Sequence, residues 1–170
     1  MNNAVTVSAS SGGPGGGMIL VRACSLSGSA TFSANGMPGP DQPVNDGAGG
    51  GGAGGSVLVA ANLPFAGLTV NAMGARGANA NYTSFPEHGP GGGGGGGAVL
   101  LSSAGTVNVN GGPPGYTTTN TTDFWGAQPG QTGLSTASLT LSQIPGPSFV
   151  PVAAPHPPPL PPQPPARHQP

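Results

Sequence analysis

The stretch GPGGGGGGGAVLLSSAGTVNVNGGPPG, residues 89–115, places seven consecutive glycines directly before an apolar, β-branched run. Valine and threonine favour strands, whereas glycine loses more conformational freedom on folding than any other residue. The same succession of glycine run, apolar strand, short turn, alternating strand and glycine occurs three times in the chain. Any fold proposed for the chain must therefore give a role both to the glycine runs and to the apolar strands that follow them.

The three copies occupy residues 18–36, 56–74 and 98–111, and their last glycines recur at intervals of 38 and 37 residues. Repeats of this length bury their apolar faces against their neighbours. We therefore predict an all-β fold, either a glycine-rich β-solenoid or stacked strand-pair repeats, over residues 1–146. The segment from Thr6 to Ala9 matches the second half of a unit, so this domain is predicted to begin within a repeat.

Alternation within these units predicts which side chains share one interior. Val or Leu at every second position is the pattern of a half-buried strand. Cys24, the only cysteine, is interpreted as a small core hydrophobe. A last strand candidate, STASLTLSQI, occupies residues 135–144. The predicted interior residues are Ile19, Val21, Val57, Val59, Val70, Val99, Leu101, Val107 and Val109.

The glycine runs allow two interpretations. As corners, they would supply positive-φ turns outside the apolar interior. As an architecture of their own, they would form polyglycine II-like helices that pack side by side, with glycine needed at a regular third position. The runs are short and irregular in length, which favours corners.

Residues 147–170 form a separate tail, and the last twenty residues contain ten prolines. Such a composition predicts a polyproline II or disordered segment. Within it, Pro162, Pro165 and Arg167 form a PxxPxR arrangement that could dock into an aromatic groove. A plain spacer is the alternative interpretation.

Composition excludes several classes of function. Only 4% of residues are charged and there is no lysine. The chain therefore lacks the basic patch that is typical of nucleic-acid-binding proteins. The apolar run at residues 18–21, like every other in the sequence, is too short for a membrane span, which needs about 20 residues. The three histidines lack neighbours at metal-ligand spacing, and no catalytic constellation is visible. We predict no catalytic residues, no cofactor and no metal, and hence no enzyme.

Two patterns suggest binding or modification. Asn81 and Asn120 each begin an N-x-[ST] sequon in a polar loop. Threonines stand at matching places in the second strands, where a flat sheet would align them into a row for sugar hydroxyls or ordered water. β-Propensity alone also explains threonine in strands. The row comprises Thr6, Thr31, Thr69 and Thr106.

The segments GGGGAGGSVLVAA, FSANG, VNVNGG and GLSTASLTLSQIPG resemble the glycine-rich repeat segments of large bacterial secreted and cell-surface proteins. The resemblance covers roughly residues 12–146, and the proline-rich tail departs from it. It implies a secreted or cell-surface setting and a structural or adhesive role. We expect an extracellular structural repeat protein of a filament, sheath or adhesin stalk. The alternative is a carbohydrate- or ice-binding surface module.

The partners that this role implies are further copies of the chain or other surface and matrix proteins. The binding alternative adds carbohydrate as a partner. Nucleic acid is excluded by the charge composition given above.

Overall fold

The computed structural model describes residues 11–42, 46–81 and 88–146. These residues form seven strands and one short 3₁₀ helix, Leu141–Gln143. The strands are β1 (Met18–Ala23), β2 (Ala30–Ser33), β3 (Ser56–Ala61), β4 (Leu68–Asn71), β5 (Ala98–Leu101), β6 (Thr106–Asn108) and β7 (Leu134–Thr136).

The strands form two sheets, and every pair of neighbours is parallel. One sheet has four strands in the order β1-β3-β5-β7, and the other has three in the order β2-β4-β6. Each strand thus pairs with its counterpart in the next repeat, in a register that sets Val57 opposite both Ile19 and Val99. Strand pairing therefore joins equivalent residues of successive repeats.

The prediction of an all-β solenoid or of stacked strand pairs is wrong. The two strands of one repeat do not pair with each other but lie in different parallel sheets, and the described residues form no closed solenoid. The arrangement is mixed, with two parallel sheets, extended glycine segments and a 3₁₀ helix. Apolar residues on one face of each strand from β1 to β6 join a single core, and two such faces pack against each other when the sheets stand about 10 Å apart.

The core lies between the two sheets. Val57, Val59 and Val99 of the four-stranded sheet are fully buried, as is Val70 of the three-stranded sheet. All nine predicted interior residues belong to this one cluster, with Ile19, Val21 and Val107 partly buried at its ends. The predicted interior is confirmed. Cys24 is a correction, because it is exposed just beyond the end of β1.

The glycine runs are not corners outside the fold. They form two hydrogen-bonded layers that continue the two sheets. Within one layer the Gly51 N–H donates to Gly92 O at 2.9 Å, and between layers the Gly94 N–H donates to Ala75 O at 2.8 Å. Each of these bonds recurs three residues later, from Gly54 to Gly95 and from Gly97 to Ala72.

A period of three is that of the polyproline II helix, so the polyglycine II-like interpretation is the correct one for these segments. Glycine is required here by close approach and not by positive φ. A Cβ atom on Gly74 would overlap the carbonyl oxygen of Gly94. Among the described glycines, positive φ occurs only at Gly28, Gly67, Gly126 and Gly146, outside the runs. The first two lie in the β1–β2 and β3–β4 turns, where the corner interpretation holds.

In the glycine layer that continues the four-stranded sheet, every third position points away from the other layer. A Cβ atom on Gly95 would stand 3.8 Å from the nearest backbone atom, an ordinary contact. The equivalent position holds Ala53 in the preceding run and Gln131 in the following one, as the bonds from Gly54 and Gly96 show. The runs look irregular in sequence because only two of every three positions must be glycine.

The chain after β7 covers the outer face of the four-stranded sheet. Leu139 and Ile144 are buried with Ala60, and Leu58 and Leu100 pack against them. The strand predicted over residues 135–144 is thus limited to the short β7, and the rest crosses the sheet through the 3₁₀ helix. This segment hides apolar side chains that would otherwise face solvent.

Candidate functional site

The outer face of the β2-β4-β6 sheet carries two rows of small polar side chains. Parallel register sets Thr31 opposite Thr69, and Thr69 opposite Thr106. Two residues further along each strand, the same register aligns a second row: Ser33, Asn71 and Asn108. The intervening residues, such as Val70, point into the core. Alternation therefore turns both rows outward.

These rows bring together three of the four predicted threonines. Thr6 lies outside the described residues. Thr31 and Thr106 are exposed and Thr69 is half-buried between them. The second row was not predicted, although the repeat alignment contained its signal, since Ser33, Asn71 and Asn108 each follow a row threonine by two residues.

The spacing of the two rows follows from sheet geometry. Neighbouring strands lie about 4.8 Å apart, and alternate residues of a strand about 6.6 Å apart. Hydroxyl and amide groups that both donate and accept hydrogen bonds therefore stand on a regular two-by-three lattice. Such a lattice can bind ordered water or the hydroxyl groups of a sugar.

A second polar cluster joins neighbouring repeats beyond the strands. The Arg76 guanidinium donates from Nη1 to Asp41 Oδ1 at 2.9 Å and from Nη2 to Oδ2 at 3.2 Å. The same carboxylate accepts from the Asn79 backbone N–H at 2.9 Å and its side-chain amide at 3.1 Å. The sequence analysis missed this cluster, although Asn79 follows Asp41 by one repeat of 38 residues.

These contacts set the protonation of the pair. The side-chain hydrogen bond from Arg76 is the main cause that lowers the pKa of Asp41, with the Asn79 hydrogen bonds adding to it and burial opposing it. The same hydrogen bond raises the pKa of Arg76. Both side chains remain about half exposed, at 40% for Arg76 and 47% for Asp41. The cluster therefore ties two repeats together and offers no free charge to a ligand.

Both sequon asparagines lie at the end of the glycine layers remote from the strands. Asn120 is exposed, and its Oδ1 accepts the hydroxyl hydrogen bond of Thr122, the third residue of its sequon, at 2.8 Å. Asn81 Oδ1 accepts from the Thr118 hydroxyl at 2.8 Å. Their modification stays a prediction. Pro162, Pro165 and Arg167, with the whole predicted tail, lie outside the described residues.

A groove of about 320 Å³ opens at the end of the molecule where the two sheets differ in strand number. Its lining comes from β5, the β5–β6 turn, β6, β7 and the residue after β7: Leu101, Ala104, Gly105, Val107, Ser135, Thr136 and Ala137. The groove is therefore the open side of the core, at the position that a fourth strand of the smaller sheet would occupy.

Within the described ranges, no group of three or more His, Cys, Asp or Glu side chains could hold a metal ion. In the same part of the chain no helix is long and apolar enough to cross a membrane. No family model, no curated protein and no solved structure matches the chain. The function is therefore argued from the geometry of the sheets and their surfaces.

Proposed function

We propose that the chain is an extracellular structural protein that self-associates through its open sheet edges, as a component of a surface filament, sheath or adhesin stalk. The observation that carries this proposal is the strand order. Both parallel sheets end in edge strands, β1 and β7 in one and β2 and β6 in the other. An edge strand presents backbone donors and acceptors that pair readily with another chain.

The residues on these edges add to the argument. Natural proteins protect sheet edges with lysine, proline or inward charges, whereas the four edge strands contain a single charged residue, Arg22. Large apolar side chains on β1 and β7 are exposed, with Met18 at 75% and Leu134 at 61%. Pairing of these edges would bury apolar surface without the repulsion of like charges.

The glycine layers suit the same role. Their backbone hydrogen bonds form both within one layer and between the two layers. These bonds hold the glycine segments together without bulky side chains. The extracellular setting of the proposal rests on the resemblance of the repeat segments to bacterial surface proteins and on the two sequons.

Self-association is tested by negative-stain microscopy and by light scattering coupled to gel filtration over a range of concentrations. We expect concentration-dependent oligomers or fibres for the natural chain. Leu134→Lys places a charge on the β7 edge and should reduce assembly. Leu63→Lys is the matched control, because Leu63 is similarly exposed, at 55%, but lies in a turn. A natural chain that stays monomeric at every concentration would refute the proposal.

The aligned polar rows favour a second candidate function, a surface that binds carbohydrate or ice. The supporting observation is the register of Thr31, Thr69 and Thr106, which spaces their hydroxyls regularly. Replacing Thr69 and Thr106 by lysine should abolish binding on a glycan array or inhibition of ice recrystallisation. Thr119→Lys, at an exposed position outside the sheets, is the control. If the natural chain shows neither activity, this candidate is rejected.

A further inference from the structure

Two Asn-Gly steps, Asn35-Gly36 and Asn110-Gly111, stand at equivalent places in the first and third repeats, two residues beyond the aligned Ser33 and Asn108. In such a step the backbone nitrogen of the glycine can attack Cγ of the asparagine, since glycine has no side chain to hinder the approach. The attack requires a glycine N–H that is free and an asparagine side chain that can turn toward it. The structure separates the two steps on both requirements.

The first step, Asn35-Gly36, is held by two hydrogen bonds to the middle repeat. The Gly36 N–H donates to Met73 O at 2.8 Å. Asn35 Oδ1 accepts the Met73 N–H, also at 2.8 Å. The attacking nitrogen and the side chain that it must attack are therefore both engaged, and both bonds must break before the two can react.

The second step, Asn110-Gly111, lies in the last run of its layer. The equivalent N–H groups of Gly36 and Gly74 each donate to the next repeat, that of Gly74 to Asn110 O at 2.9 Å. By the same geometry the Gly111 N–H points to the open side of the layer, and no described residue accepts it. The Asn110 side chain is exposed and makes no hydrogen bond within the described ranges. Both groups are therefore free to react.

We propose that Asn110 is a modification site, at which the folded chain loses the side-chain amide and forms aspartate and isoaspartate. The Gly111 nitrogen gives its proton to water and bonds to Asn110 Cγ, and the Cγ–Nδ2 bond breaks to release ammonia. Water then opens the resulting cyclic imide. Opening at Cγ leaves aspartate, whereas opening at the main-chain carbonyl leaves isoaspartate, in which the peptide bond runs through Cγ. Water is the only co-reactant.

The reaction adds a carboxylate to an edge that has no charge of its own. Residues 106–116, which form this edge from β6 to the end of the glycine run, contain no charged side chain. Charged side chains are one of the means by which proteins keep sheet edges from pairing with other chains. Conversion of Asn110 therefore gives the open edge of the smaller sheet a negative charge that the newly made chain lacks.

Peptide mapping of the natural chain tests the proposal, and no substitution is needed that could disturb the fold. The folded protein is incubated at mildly alkaline pH and sampled over time. Trypsin can cleave only after Arg22, Arg76 and Arg167, so Asn35 and Asn110 fall in different peptides, 23–76 and 77–167. Fragmentation mass spectrometry locates each amide-to-acid conversion, and labelling by an isoaspartyl methyltransferase detects isoaspartate. Conversion at Asn110 should be faster than at Asn35 by about tenfold or more, because two hydrogen bonds protect Asn35.

The matched control is the same incubation in urea. Both steps should then convert at similar rates, because the hydrogen bonds that distinguish them are absent from the unfolded chain. Asn110→Gln, at an exposed position, should remove the signal from residue 110, because its longer side chain would have to close a larger ring. Equal rates at Asn35 and Asn110 in the folded chain, or no conversion at Asn110, would overturn the proposal. A difference that persists in urea would overturn its structural basis.

Discussion

Gly94 lies so close to Gly52 in the neighbouring glycine run that a Cβ atom added to Gly94 would overlap the carbonyl oxygen of Gly52. The two residues belong to adjacent repeats, and the Gly94 N–H bonds across to the other layer at Ala75. Close packing in two directions therefore fixes glycine at this position. The next residue, Gly95, has space for a methyl group.

Gly94→Ala should therefore destabilise the protein by about 1–3 kcal/mol or more, because the backbone of two layers must move to admit the methyl group. Gly95→Ala should change the free energy of unfolding by no more than about 0.5 kcal/mol. Chemical denaturation of both variants measures the difference. Equal effects of the two substitutions would contradict the layered arrangement.

The core between the sheets gives a second prediction. Leu101 is 1% exposed, and Leu101→Ala should cost about 2–5 kcal/mol through lost burial and the cavity that remains. Leu20 is 50% exposed on an edge strand, so Leu20→Ala should cost less than about 1 kcal/mol. Thermal or urea unfolding gives both values. A tolerated Leu101→Ala would mean that the sheets do not enclose a common core.

The Asp41–Arg76 pair gives a pH dependence. The pKa of Asp41 is lower in the folded chain than its ordinary value of about 3.9. Its stabilisation is therefore complete above the ordinary pKa and is lost as the pH falls through the lowered, folded-state pKa. Because both side chains are well exposed, Arg76→Gln should cost no more than about 1 kcal/mol at neutral pH.

This cost should disappear in acid, where Asp41 is protonated in both variants. Urea unfolding of the natural chain and of Arg76→Gln, at pH 7 and at several values below pH 4, measures the difference. Asp41→Asn is the control, since in that background Arg76→Gln should have little effect at any pH. A cost that persists unchanged in acid would show that Arg76 acts through packing alone.

Ile144 gives the fourth prediction, since it holds the segment after β7 on the sheet. It is 2% exposed and packs with Leu58 and Leu100. Ile144→Asp should release the segment, expose these leucines and raise the fluorescence of a bound apolar dye. Ser142→Asp, at an exposed position of the same segment, should not. Equal dye binding by both variants would contradict the packing of the segment after β7 on the outer face of the four-stranded sheet.

The inward residues of the second strands could be predicted from alternation, because Val70 lies between polar residues. In the first strands both faces are apolar, since Leu58 and Leu100 alternate with the inward valines. The pairing of the strands could not be predicted. Val59 and Val70 fit equally well in one hairpin or in two facing sheets, and only the need to cover both apolar faces decides between them. The role of the glycines was also hidden, because Ala53, Gln128 and Gln131 interrupt the glycine pattern at the outward positions where side chains are allowed.

One of the two polar rows, the threonine row, was predicted from the sequence. Thr31, Thr69 and Thr106 follow from the repeat alignment, and the second row required only the same alignment carried two residues further. The Asp41–Arg76 contact was harder to predict, since it depends on how far beyond the strands the repeats stay in register. The groove depends on the unequal strand number of the two sheets, which no local pattern encodes.

The glycine layers also affect how the protein responds to temperature. Unfolding them exposes mainly backbone amides, and hydration of polar surface lowers the heat capacity by about 0.26 cal/mol/K per Å², whereas apolar surface raises it by about 0.45. The glycine layers therefore add little to the heat capacity of unfolding or reduce it. We expect a broad and flat free-energy curve, and a folded state that keeps its stability in the cold, where a fold that depended on apolar burial alone would weaken.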